Sequence, residues 1–114
     1  ATAYAIAHDF PYIDVDVIEI SKAMINVAKT FFAPIYRQTN AVTFHHYDAF
    51  VFIKNTKKRY DFIFVDPFIG DTAHPKIRSS PFIQHVCSRM SKNGVVVINF
   101  GFTSDSHIDV AIAR

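Results

Sequence analysis

Three carboxylates stand where the sequence reads as strand giving way to helix or loop. They are Glu19 in Val15-Asp16-Val17-Ile18-Glu19-Ile20-Ser21, Asp48 in Tyr47-Asp48-Ala49, and Asp66 in Val65-Asp66-Pro67. A carboxylate at the carboxyl end of the second strand of an open α/β sheet can accept hydrogen bonds from both hydroxyls of a ribose. Acids at successive strand ends therefore point to an adenosine-bearing cofactor. A purely structural reading stands beside this one: Glu19 also suits a helix N-terminus, where the macrodipole favours negative charge, and Asp48 also suits a plain N-cap.

The elements that must place these acids follow from hydrophobic periodicity. Thr2 to His8 reads as the closing turns of a helix, broken by Asp9-Phe10-Pro11. Ile13 to Ile20 alternates as a strand, with Ile13, Val15 and Val17 on one face and Asp14, Asp16 and Ile18 on the other. Ser21 is an N-cap for a helix that ends near Pro34 to Tyr36. Its stripe of Met24, Val27, Ala28, Phe31 and Ile35 is expected in the core. Ala41 to Tyr47 is the next strand, followed by a short helix from Asp48 to Asn55. Tyr60 to Val65 is an unbroken run of strand length, which predicts burial on both faces of a parallel sheet.

Asp66-Pro67 then opens a long loop through Gly70, His74 and Pro75. Ser79 or Ser80 with Pro81 starts a helix reaching Met90, and Lys92-Asn93-Gly94 is its expected stop. Val95 to Phe100 is a fourth strand, and another helix is expected from Asp105. Strands alternating with helices at this spacing predict an α/β fold with a parallel sheet and right-handed crossovers.

With 114 residues the chain is one domain at most, and half of its residues are apolar. No apolar run reaches the length of about 18 to 20 residues that spans a bilayer, so no membrane partner is expected. The net charge of +2 is spread thinly apart from Lys54, Lys57, Lys58 and Arg59, a cluster read as a solvated face. Without aromatic interleaving it does not suggest nucleic acid. The single cysteine, Cys87, excludes an internal disulfide and leans toward the cytoplasm; its spacing with Phe82, Val86 and Met90 is that of a packed helix face.

Other candidates have plainer readings. His45 and His46 are neighbours in a strand, point to opposite faces and cannot chelate one ion together. His74, His85 and His107 lack metal-ligand spacing, so no metal is expected. Ser79 and Ser80 read as helix caps, Tyr47 and Tyr60 as packed amphipathic residues, and Arg78 as solvated.

Several segments then take on meaning through their order. The strand ending in Glu19, the Tyr47-Asp48-Ala49 turn, Lys54-Asn55-Thr56-Lys57-Lys58-Arg59-Tyr60-Asp61, Val65-Asp66, Ile77 to Phe82, and Lys92-Asn93-Gly94-Val95-Val96-Val97 follow one another at a characteristic spacing. The chain in this respect resembles spermidine synthase and its relatives, within the class I S-adenosylmethionine-dependent methyltransferase fold. That resemblance implies a Rossmann-like parallel sheet with flanking helices, incomplete in this chain. It implies that Glu19 binds the ribose hydroxyls, that Ile20 packs on the adenine, and that Asp48, with Ala49 beside it, accepts a hydrogen bond from the adenine amino group. It also implies that Asp66 acts at the reactive end of the donor, near its amine. Decarboxylated S-adenosylmethionine or S-adenosylmethionine is the implied co-substrate, a small-molecule amine the implied acceptor, and a homodimer the implied assembly.

The chain departs from the family pattern in two places. Its glycines are Gly70, Gly94 and Gly101, so the family's glycine-rich turn after the first strand has no counterpart. Residues 1–114 are accordingly expected to form a partial domain. The missing strand would be central, between the Glu19 and Asp66 strands, leaving two unpaired edges. Polyamine-making members also carry a second acid three residues after the one matched by Asp66, and here that position is Ile69. Asp71 lies nearby, although an aspartate beside Gly70 also suits a turn. Three functions stand at this point: aminopropyl transfer, methyl transfer on nitrogen (which Asp66-Pro67-Phe68 resembles with one proline missing), and a non-catalytic role.

Overall fold

The structure, a computed structural model, describes residues 2–36, 39–66, 68–69 and 72–99. The chain divides into two compact units, residues 1–52 and 53–114. The first contains α1 (Thr2–Asp9), β1 (Val15–Glu19), α2 (Lys22–Val27), β2 (Val42–His46) and the start of α3 (Ala49–Asn55). Strands β1 and β2 are parallel, in register from Val15 opposite Val42 to Glu19 opposite His46. The two-residue period puts Val15, Val17, Glu19, Val42, Phe44 and His46 on one face and Asp16, Ile18, Thr43 and His45 on the other.

Helices lie on both faces of this pair. On the first face Tyr4 and Ala7 of α1 are buried, and the Tyr4 ring sits 5.8 Å from Phe44 and 6.2 Å from Tyr36. On the second face Phe52 of α3 meets the His45 ring at 5.4 Å. Parallel strands with flanking helices make this a mixed α/β, Rossmann-like arrangement. The first strand is shorter than the expected Ile13 to Ile20. The Ile13 N–H closes a turn onto the Phe10 carbonyl at 3.2 Å, and the ladder starts only where Val42 begins the partner strand.

The stripe on the second helix is corrected. Met24, Phe31 and Ile35 are 57%, 65% and 69% exposed, and Val27 is also exposed, while Ile25 is buried. Successive helical residues are rotated by roughly 100°, so a helix that turns Ile25 inward turns Met24 away. Lys29, four residues after Ile25 and on its face, places its ammonium 5.7 Å from the centre of the Phe44 ring, which confirms the orientation. Beyond Val27 the helix widens into a π turn, Ala28–Phe32, in which the Ala33 N–H reaches back to the Ala28 carbonyl. A 3-10 turn at Ala33–Ile35 follows, where Pro34 has no N–H to continue the α pattern.

The second unit holds β3 (Tyr60–Val65), β4 (Phe68–Ile69), β5 (Thr72–Ala73), α4 (Ser80–Ser88) and β6 (Met90–Ile98). Strands β3 and β6 are parallel. Ile77 of the 3-10 turn Pro75–Arg78, with Phe82 and Val86 of α4, is buried together with Val96 and Ile98 of β6. The expected two-sided burial of Tyr60 to Val65 does not hold, because Phe62 and Phe64 are 50% and 42% exposed. They pair with Val95 and Val97 on the face opposite Val96 and Ile98.

Two further expectations change. The helix ends at Ser88, and Lys92-Asn93-Gly94 belongs to β6 rather than to a helix stop. From Tyr60 opposite Met90 the register moves to Phe62 opposite Val95, so β6 bulges across Ser91 to Gly94. A Cβ on Gly94 would lie 3.0 Å from the Met90 Cβ and 3.1 Å from the Ser91 and Tyr60 carbonyl oxygens. The loop after Asp66 contains an antiparallel pair, Phe68 opposite Ala73 and Ile69 opposite Thr72. Gly70, Asp71 and the helix expected from Asp105 lie outside the described residues. Among the described residues β1 pairs with β2 alone and β3 with β6 alone, so each has one edge without a ladder partner.

Candidate functional site

Parallel pairing brings the carboxyl ends of β1 and β2 side by side. Glu19 lies opposite His46, and the Tyr47 N–H donates to the Glu19 carbonyl at 3.1 Å. The two turns that follow, Glu19-Ile20-Ser21 and Tyr47-Asp48-Ala49, are therefore neighbours. Glu19 is half-buried, and its Oε1 accepts from the Ser21 N–H at 2.8 Å. The Ser21 hydroxyl in turn accepts from the Met24 N–H at 3.3 Å, which makes it the N-cap expected for α2. Ile20 is 67% exposed, and its carbonyl accepts from His46 Nε2 at 3.0 Å. The backbone at Ile20 is thus anchored while its apolar side chain faces solvent.

Asp48 caps α3. Its Oδ1 accepts from the Phe50 and Val51 N–H groups at 2.8 and 3.3 Å, and Ala49 is the exposed first residue of that helix. The structural reading of both acids is realised, since each commits one oxygen to backbone at a helix start. The second oxygen of each carboxylate has no partner among the described residues. Two such acids beside an exposed isoleucine leave carboxylate oxygens able to accept hydrogen bonds from a ligand, next to an apolar surface.

In the second unit Asp66 directly follows β3 and is exposed. Its Oδ1 accepts from Asn99 Nδ2 at 2.8 Å, and the Asn99 N–H donates to the Val65 carbonyl at 2.8 Å. Reading the sequence missed Asn99, although it carries the same signal as Asp66: a polar residue immediately after an apolar strand run. Ile69 has its backbone in the short β4–β5 pair.

The histidines behave as their positions require. His45 Nε2 meets Asp16 Oδ1 at 3.0 Å on one face, while His46 reaches Ile20 from the other. Among the described residues no three metal-ligating side chains come together. The basic cluster is more structural than expected. Arg59 Nη1 donates to the Ser88 and Met90 carbonyls at 3.1 and 3.3 Å, around the end of α4. Arg89, unremarked in the sequence, donates from Nε to the Ile53 carbonyl at 3.2 Å and from Nη2 to the Lys54 carbonyl at 2.9 Å. Cations at helix C-termini satisfy orphan carbonyls and complement the dipole. Ser79 takes the N-cap position of α4, but its hydroxyl donates to the Lys76 carbonyl at 2.8 Å instead of capping the helix. No helix among the described residues is long and apolar enough to cross a membrane.

Comparison with known proteins joins these observations. A polyamine aminopropyltransferase of Vibrio vulnificus (strain CMCP6) is 28% identical over 103 residues, covering 88% of this chain and 34% of that protein. The chain therefore spans about a third of the length of this curated relative. The sequence model of the spermine/spermidine synthase domain matches residues 8–104, a stretch that includes Glu19, Asp48 and Asp66. With most of its length matched in this way, the chain belongs to the spermine/spermidine synthase domain family.

Proposed function

We propose that this chain holds an adenosyl sulfonium donor, decarboxylated S-adenosylmethionine, for transfer of its aminopropyl group to a small amine. The observation that carries the reading is the pairing of the Glu19 and Asp48 turns at the ends of adjacent parallel strands, each acid with one oxygen tied to backbone. In this reading Glu19 receives the ribose hydroxyls and Ile20 packs on the adenine. Asp48 accepts from the adenine amino group, with Ala49 giving room beside it, and Asp66 orients the amine end of the donor. Carboxylates fixed by backbone N–H groups are preorganised, so little ordering is needed when the ligand arrives.

A donor of this class would supply a positively charged sulfur as leaving group, so that a carbon–sulfur bond breaks as a carbon–nitrogen bond forms and the incoming amine gives up a proton. The protein's part is to hold the reactants in line and let that proton leave. Ile69 offers no base, but Asp66 is exposed, so water reaches it and can take the proton. The reading carries with it a cytoplasmic setting and a homodimer, as for a soluble enzyme acting on a small-molecule amine.

Calorimetric titration of the native full-length protein with decarboxylated S-adenosylmethionine, and separately with S-adenosylmethionine, tests this. The decarboxylated donor is expected to bind more tightly, and Glu19→Ala to weaken it about 10- to 100-fold, the loss of charge-assisted hydrogen bonds. Preference for the carboxylated form would shift the function to methyl transfer. No binding of either would leave a non-catalytic family member.

A further inference from the structure

Asp66 and Asn99 stand side by side at the ends of two paired parallel strands. The Asn99 N–H extends the β3–β6 ladder one step beyond the last register pair, Val65 and Ile98, by donating to the Val65 carbonyl at 2.8 Å. Backbone pairing therefore places the Asn99 side chain, and its Nδ2 donates to Asp66 Oδ1 at 2.8 Å. Among the described residues no cation forms an ion pair with Asp66. A primary amide differs from lysine or arginine in this position because it fixes a carboxylate's orientation without cancelling its charge.

We propose that Asn99 is a positioning residue that holds the Asp66 carboxylate in one orientation with its negative charge intact, and thereby sets selectivity for a ligand that carries an ammonium group. The inference rests on the aminopropyl-transfer reading and adds to it the determinant of that selectivity. The donor's three-carbon arm ends in an ammonium group. The adenosyl thioether left after transfer has lost the arm and is neutral at that end. A device that acts through the Asp66 charge must discriminate between these two ligands, whereas a merely structural contact would not.

Asn99→Leu is the sharpest variant. It keeps the approximate size of the side chain but offers Asp66 no donor. Asn99→Ala removes the donor and leaves Asp66 free to rotate. The native full-length protein and both variants are titrated calorimetrically with decarboxylated S-adenosylmethionine and with the neutral methyl adenosyl thioether. Each variant is expected to weaken the donor by about tenfold or more, as loss of a fixed charge-assisted contact does, while the thioether changes by less than about twofold. Equal weakening of both ligands, or donor binding unchanged by either variant, would overturn the role of Asn99 alone. Failure of the wild-type protein to bind either ligand would overturn the aminopropyl-transfer reading, and the inference with it.

Discussion

Tyr4 lies 4% exposed between the rings of Tyr36 and Phe44, and burial raises its phenol above the ordinary 10.0 by disfavouring the anion. A pKa raised on folding contributes stability that is fully present below the unfolded value and is lost as pH rises through the folded one. The thermal midpoint is therefore expected to fall steeply above about pH 10, and Tyr4→Phe to flatten that fall, in melts followed by circular dichroism. Identical alkaline limbs would show that the phenol is not responsible. His46 tests the other end of the same unit. Its Nε2–H steadies the Ile20 carbonyl whether the ring is neutral in that tautomer or protonated. His46→Ala is expected to cost under about 1 kcal/mol of stability, since solvent replaces the donor, yet, on the proposed function, to weaken binding of the adenosyl donor several-fold. Neither residue's role was legible in advance. Both depend on what lies across a strand register or under a helix, whereas Glu19, Asp48 and Asp66 announce themselves by standing after apolar runs.

At the scale of elements, the bulge in β6 makes Gly94 a requirement for close approach. Gly94→Ala would push a methyl group into the Met90 side chain and two carbonyl oxygens, all within 3.1 Å, and is expected to cost on the order of 1–3 kcal/mol by urea unfolding. An unchanged midpoint would mean that the bulge yields freely. Arg89 links the start of the same strand to the end of α3 through two carbonyls. Arg89→Lys is expected to recover little of the loss in Arg89→Met, because one ammonium cannot reproduce the planar fork. Here the sequence misled in an instructive way. Lys92-Asn93-Gly94 has the composition of a helix stop, and the same glycine serves a strand bulge equally well. Only the pairing of Val95 with Phe62 distinguishes the two. Similarly, the apolar stripe of α2 was evident, but Ile25 and Lys29 show that the helix turns a different face to the strands.

On the scale of the whole molecule, alternation of apolar and polar segments was enough to identify parallel strands with flanking helices, because connection lengths and periodicity are local properties. What covers each face is not local. Tyr60 to Val65 has the composition of a strand enclosed on both sides, yet Phe62 and Phe64 are half exposed, as is much of the Met24, Phe31 and Ile35 stripe. Exposed apolar faces drive association, and a net charge of only +2 gives weak repulsion to oppose it. The 114-residue chain studied by itself is therefore expected to associate as concentration rises in sedimentation velocity at neutral pH. Replacing Phe62 and Phe64 with threonine, a good strand former, should reduce association while leaving the far-ultraviolet spectrum intact, since the buried side of this pair is formed by Val96 and Ile98 with Ile77, Phe82 and Val86. If the double variant associates as strongly as the wild type, the exposed β3 face is not the adhesive surface, and the α2 stripe in the first unit becomes the one to substitute next.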